Sequence, residues 1–95
     1  MSETIEKAVA ELNAKMDGGF DGTAKMVIEG EGAVMIDGSG ARAGDEEAEV
    51  TLTASRETFQ EILSGETNPT AAFMTGKLSV DGDMGQAMKL AGVLS

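Results

Sequence analysis

Ninety-five residues without a break in composition make one domain, residues 1–95, with room for a single core, and no apolar run nears the ~20 residues that a membrane-spanning helix needs. Seventeen acidic against seven basic residues give a net charge of −10, which repels phosphate backbones and anionic headgroups over a Debye length of ~8 Å, so neither nucleic acid nor stable membrane insertion is expected. With no cysteine and no histidine, the composition excludes disulfides, thiolate or imidazole metal sites, and Ser-His-Asp or Cys-His nucleophiles.

The chain starts MSETIEKAVAEL, which carries mixed charge rather than a basic start and an apolar block. It does not read as a secretory signal, and the expected compartment is the cytoplasm. Residues 2–16 predict an amphipathic helix, because Ile5, Val9, Leu12 and Met16 recur on one face while Glu3, Glu6, Lys7 and Glu11 cover the others. Ser2 is the expected N-cap, and Gly18-Gly19 the stop.

From Phe20 to Ala54 the period changes to two. AKMVIEGEG, AVMIDGSG, ARAGDEE and EVTLTAS are short runs of β type punctuated by glycine and acidic residues, which predicts a three-stranded meander and a fourth strand. Alternation puts Met26, Ile28, Val34, Ile36, Val50 and Leu52 on the covered face and Lys25, Glu29, Glu49, Thr51 and Thr53 toward water.

Ser55 then caps a helix, SRETFQEILSG, with Phe59, Ile62 and Leu63 on one face and Gly65 at its stop. Asn68-Pro69 is an N-cap with proline at the first helical position, so TAAFMT predicts one or two helical turns closed by Gly76. KLSVD predicts a fifth strand with Leu78 and Val80 on one face. Asp83 begins the last helix, with Gln86 placed as in a capping box, Met84, Ala87, Met88 and Ala91 on one face, and Gly92 as the stop. The resulting order, with strands in a block and helices at the ends, predicts an α+β domain whose sheet is covered on one face.

The chemistry on offer is sparse. Ser39 sits in DGSG, a hairpin turn that lacks the first glycine of a nucleophile elbow, and GEG and GSG lack the third glycine or the Gly-Lys-Thr ending of a phosphate loop. Asp45-Glu46-Glu47 and Asp81-Gly82-Asp83 read as solvated turns, the second failing the EF-hand pattern, so neither a metal nor a cofactor is expected. Paired carboxylates for glycosidic chemistry have no aromatic platform to hold a sugar. What remains is seven methionines and three phenylalanines, either an adaptable apolar wall or ordinary core at helical spacing.

The stretch GETNPTAAFMTGKLSVDGDMGQAMKLAG resembles the signature region of the sterol carrier protein 2 domain family. The matching residues are Gly65, Asn68, Pro69, Ala72, Phe73, Gly76, Lys77, Leu78, Gly82, Met84, Gly85, Ala87, Met88, Lys89 and Leu90, with a looser match upstream through VTLTASRETF. The resemblance implies an α+β fold with a five-stranded, mainly antiparallel sheet, helices over one face, and an apolar tunnel between them for a fatty acid, acyl-CoA, sterol or isoprenoid-like lipid. It implies a binding and transfer module rather than an enzyme. The lining it implies is Ile28, Val34, Ile36, Val50 and Leu52 from the sheet, Phe73 and Met74 from the short helix, Leu78 and Val80 from the fifth strand, and Met84, Ala87, Met88 and Leu90 from the last helix. The sequence departs from the family in ending at Val93-Leu94-Ser95, without the Ala-Lys-Leu peroxisomal tag of many members, and in placing Gln86 where an apolar residue is common. The alternative is an accessory or structural module that serves a partner enzyme of a lipid or quinone pathway and exchanges no ligand of its own.

Overall fold

The computed structural model describes residues 3–16 and 19–94. Its elements run α1 (Glu3–Met16), β1 (Ala24–Ile28), β2 (Gly32–Asp37), β3 (Gly40–Ala43), β4 (Val50–Ala54), α2 (Arg56–Ser64), α3 (Pro69–Met74), β5 (Leu78–Gly82) and α4 (Met84–Leu94). The expected Ser2 cap and the Gly18 part of the expected stop lie outside the described residues.

The five strands form one sheet in the order β3-β2-β1-β4-β5. The three neighbour pairs β1–β2, β2–β3 and β4–β5 are antiparallel, while β1 and β4 pair in parallel, Met26 opposite Leu52. A parallel pair needs a crossover. Here the β3–β4 connection supplies it by passing over the face that the helices leave open. Lys25 Nζ holds Asp45 at 2.8 Å, and the Glu46 amide donates to Met35 Sδ at 3.4 Å, so residues 44–49 lie across β1 and β2. This is why Met35, whose strand position points it away from the helices, is nevertheless buried.

The other face holds the core. Ala24, Met26 and Ile28 of β1, Val34 and Ile36 of β2, and Val50, Leu52 and Ala54 of β4 are all buried there, as period two demands. Ile5, Ala8, Leu12 and Met16 of α1 and Phe59, Ile62 and Leu63 of α2 close over them. Ala8 takes the fully buried position, and Val9 packs at the margin of the core. Asn13 fastens α1 to the edge strand β3 through both halves of its amide, donating to the Ala41 carbonyl at 3.1 Å and accepting from the Ala41 amide at 2.8 Å.

The local signals at α2 and α3 hold. The Ser55 hydroxyl accepts from the Thr58 amide at 3.2 Å, and Asn68 Oδ1 accepts from the Thr70 amide at 2.8 Å, each satisfying an amide that the helix leaves unpaired. Two expectations at α4 are corrected. Gly92 does not stop the helix, which continues to Leu94, because burying Leu94 outweighs the ~1 kcal/mol that an interior glycine costs. Gln86 does not complete a capping box. Asp83 Oδ1 accepts from the Gly85 and Gln86 amides at 2.8 and 3.2 Å, but the Asp83 amide goes to the Glu49 carbonyl at 2.9 Å, leaving nothing for the glutamine side chain to accept there.

Candidate functional site

An apolar groove of about 450 Å³ lies where α3, β5 and α4 meet the sheet. Its floor is Leu52 of β4 with Leu78 and Val80 of β5, residues brought together by the antiparallel register that sets Leu52 opposite Val80. One wall is the face of α4 that carries Met84, Ala87, Met88 and Ala91, spaced three and four apart, with Gly92 beyond. The other is α3, contributing Asn68, Pro69, Thr70 and Phe73. Met84 and Met88 are 50% and 74% exposed at the rim, so the groove opens to solvent.

Backbone geometry places these walls. Proline at the first turn and the Asn68 cap fix where α3 starts. At the other end of β5, Gly82 has φ +109°, and a Cβ there would overlap the Glu49 carbonyl oxygen. Only glycine lets the chain pass this close, and the passage delivers Asp83 to the Glu49 carbonyl and aims α4 back across the sheet.

Among the described residues, no ionisable side chain lines the groove. The charged groups with displaced titration sit elsewhere. The hydrogen bond from Arg42 holds the Asp37 carboxyl below its ordinary value, helped by the Ser39 amide, at the β2–β3 hairpin. Glu57, in the first turn of α2, is also lowered, chiefly by a hydrogen bond from its own backbone amide. Among the described residues, no group of three or more acidic side chains could hold a metal ion, and no helix is long and apolar enough to cross a membrane.

Of the thirteen side chains expected to line a lipid site, Leu52, Phe73, Leu78, Val80, Met84, Ala87 and Met88 meet in the groove. Val34, Ile36, Val50 and Leu90 are buried completely in the core. Ile28 borders a smaller cleft of about 220 Å³ between α1 and α2, and Met74 is exposed at the end of α3 without joining the lining. The division follows from the helices. α1 and α2 close over one part of the sheet, and the groove opens over Leu52 and β5, beyond them. Asn68, Pro69, Thr70, Ala91 and Gly92 complete the lining; of these, Ala91 was visible as the residue seven positions after Met84 on the same helical face.

The sheet order and the helix arrangement recur in known proteins. The solution structure of an Aedes aegypti sterol carrier protein 2 in complex with palmitate superposes with a TM-score of 0.78 at 20% identity, covering all of this chain and 97% of that one. A fatty acid-binding protein of Yarrowia lipolytica is 33% identical over 95 residues, 98% of this chain and 71% of the relative. The peroxisomal multifunctional enzyme A of Dictyostelium discoideum is 42% identical over 52 residues, which are 55% of this chain but 12% of that protein, so the chain spans a small part of such larger relatives. Residues 4–95 match the SCP-2 sterol transfer family, and with the five-stranded sheet and the signature between Gly65 and Gly92 in place, the chain belongs to that family.

Proposed function

We propose that this protein is a non-catalytic carrier that binds the hydrocarbon chain of a single lipid in the groove between α3, β5 and α4. The observation that carries this reading is the groove itself: about 450 Å³, within the ~300–1,000 Å³ typical of ligand pockets, with a lining that is apolar apart from Asn68 and Thr70. Palmitate binding by an insect protein of the same fold, and the fatty acid-binding relative in Yarrowia, support the choice of ligand class.

The lining residues proposed to touch the ligand are Leu52, Leu78 and Val80 below, Phe73 on one side, and Met84, Ala87, Met88 and Ala91 on the other. Ten methylenes buried there gain ~8 kcal/mol gross at ~0.8 per group, against an association cost of at least ~4 kcal/mol. Longer chains therefore reach micromolar affinity, about −8 kcal/mol. A carboxylate placed inside would lose its hydration without gaining a charged partner, so the acid end stays at the mouth. A flexible acyl chain also suits walls of methionine better than a rigid sterol does. On this reading the protein works from the cytoplasm, taking up and releasing lipid without chemistry.

A thermal scan tests it. Palmitate at about a hundred times its dissociation constant adds ~2.7 kcal/mol and raises Tm by on the order of 10 °C in a domain of this size. No shift with palmitate, a sterol or a prenylated quinone overturns the carrier reading.

The second reading, an accessory module for a lipid- or quinone-pathway enzyme, draws on relatives such as the Dictyostelium enzyme, in which the matched segment is one part of a larger chain. Native mass spectrometry of gently purified protein separates the two: retained lipid supports the carrier, and a stable partner enzyme without lipid supports the module.

A further inference from the structure

Four large apolar side chains are exposed among the described residues: Phe73 at 43%, Met74 at 78%, Met84 at 50% and Met88 at 74%. All four come from α3 and the first half of α4. Phe73, Met84 and Met88 stand at the groove, and Met74 follows Phe73 at the end of α3.

The net charge of the chain does not come from the segment that holds these elements. Residues 67–95 carry Lys77 and Lys89 against Asp81 and Asp83 and are neutral, so residues 1–66 hold the whole of the −10 net charge. The apolar rim is therefore carried by a net-neutral segment of a strongly acidic chain, with Lys89, beside Met88, facing Asp21 at 3.7 Å.

We propose that this rim is a docking surface for the headgroup region of an uncharged, zwitterionic lipid bilayer, with the groove mouth turned toward the membrane. The inference rests on the reading of the groove as a lipid site and names the surface from which lipid enters it. A bilayer accepts a small apolar patch without a matching shape, and binding scales with the apolar area buried. An anionic surface would repel the acidic body, whereas a zwitterionic one imposes no such cost. A second copy of the chain is a poorer fit. A large apolar side chain carries about 150–250 Å², so at these exposures the four offer on the order of 500 Å², against roughly 800 Å² per partner in a stable protein interface.

Flotation with phosphatidylcholine vesicles tests the proposal, using wild type and Met74→Gln. Met74 lies outside the groove lining, and the substitution adds no charge. Wild type is expected to float with the vesicles, and Met74→Gln to bind about tenfold more weakly, while both take up palmitate equally in vesicle-free solution. Replacing part of the phosphatidylcholine with phosphatidylserine should weaken binding, and salt near 1 M, where the Debye length is roughly 3 Å, should restore it. The proposal is overturned by wild type that does not float, by unchanged binding of Met74→Gln, or by tighter binding to the phosphatidylserine vesicles. A dimer that Met74→Gln dissociates would assign the surface to a second copy instead. Palmitate uptake is measured without vesicles, so failure of the groove as a lipid site and failure of docking register in different assays.

Discussion

Gly22 presents its Cα to the side-chain amide of Gln86, so closely that a Cβ at Gly22 would overlap Gln86 Oε1. That oxygen is buried and has no hydrogen-bond partner among the described residues. Gln86 therefore acts as a packing contact between the first turn of α4 and the segment leading into β1, on the side of the helix away from the groove. Gly22→Ala is expected to destabilise the fold by about 1–3 kcal/mol, since alanine must adopt φ near +128° and displace the amide. Gln86→Leu removes the unpaired oxygen and should be neutral or stabilising by about 1 kcal/mol. Urea unfolding of both variants checks the pair; a large loss of stability in Gln86→Leu would reveal a polar role for the side chain.

Gly92 lies inside α4, and a Cβ added there meets nothing within 4 Å. Gly92→Ala should therefore raise stability by about 1 kcal/mol through helix propensity. Thermal melting gives the sign directly. A helix that ended at Gly92 would instead lose stability on the change.

Ala91 faces the groove from the third turn of α4. In Ala91→Phe, the ring fills space proposed for two or three methylenes of the ligand, about 2 kcal/mol of binding, and palmitate affinity should fall roughly thirtyfold. A fluorescence or calorimetric titration reads the change, with circular dichroism confirming that the fold persists. Undiminished affinity would move the ligand away from α4.

Arg42 bonds both Asp37 and Glu46, tying the β2–β3 hairpin to the crossover loop. Because the Asp37 carboxyl is held below its ordinary value, its contribution is complete above about pH 4 and is lost as the pH falls through the lowered folded value. The Tm of Asp37→Asn should accordingly change less between pH 5 and strongly acid solution than that of wild type, by a small margin because the pair is solvent-exposed. Parallel curves for the two proteins would show that the ion pair contributes nothing.

The parts of the fold written in short-range chemistry were legible in the sequence. Ser55, Asn68-Pro69 and Asp83 each act on amides two or three residues away, so their helix starts follow from local spacing. The α4 face of Met84, Ala87, Met88 and Ala91 was equally readable, because helical period alone brings those side chains together. The parallel pairing of β1 with β4 has no such local mark; alternation orients each strand but does not name its neighbour. For the same reason Val34, Ile36 and Val50 share a face with Leu52, and only the placement of α1, α2 and the buried side of α4 separates closed core from open groove. Met35 was hidden likewise, since its cover comes from a loop rather than from the opposite layer.

The groove draws its lining from Leu52, from residues 68–80, and from α4 as far as Gly92. The last wall is also part of the core, because Leu90 and Leu94 of α4 are fully buried while Met84 and Met88 of the same helix border the groove. A variant lacking α4 would therefore lose one wall of the proposed lipid site and part of the core together, leaving Leu52 and Leu78 bare and the fold open to clearance.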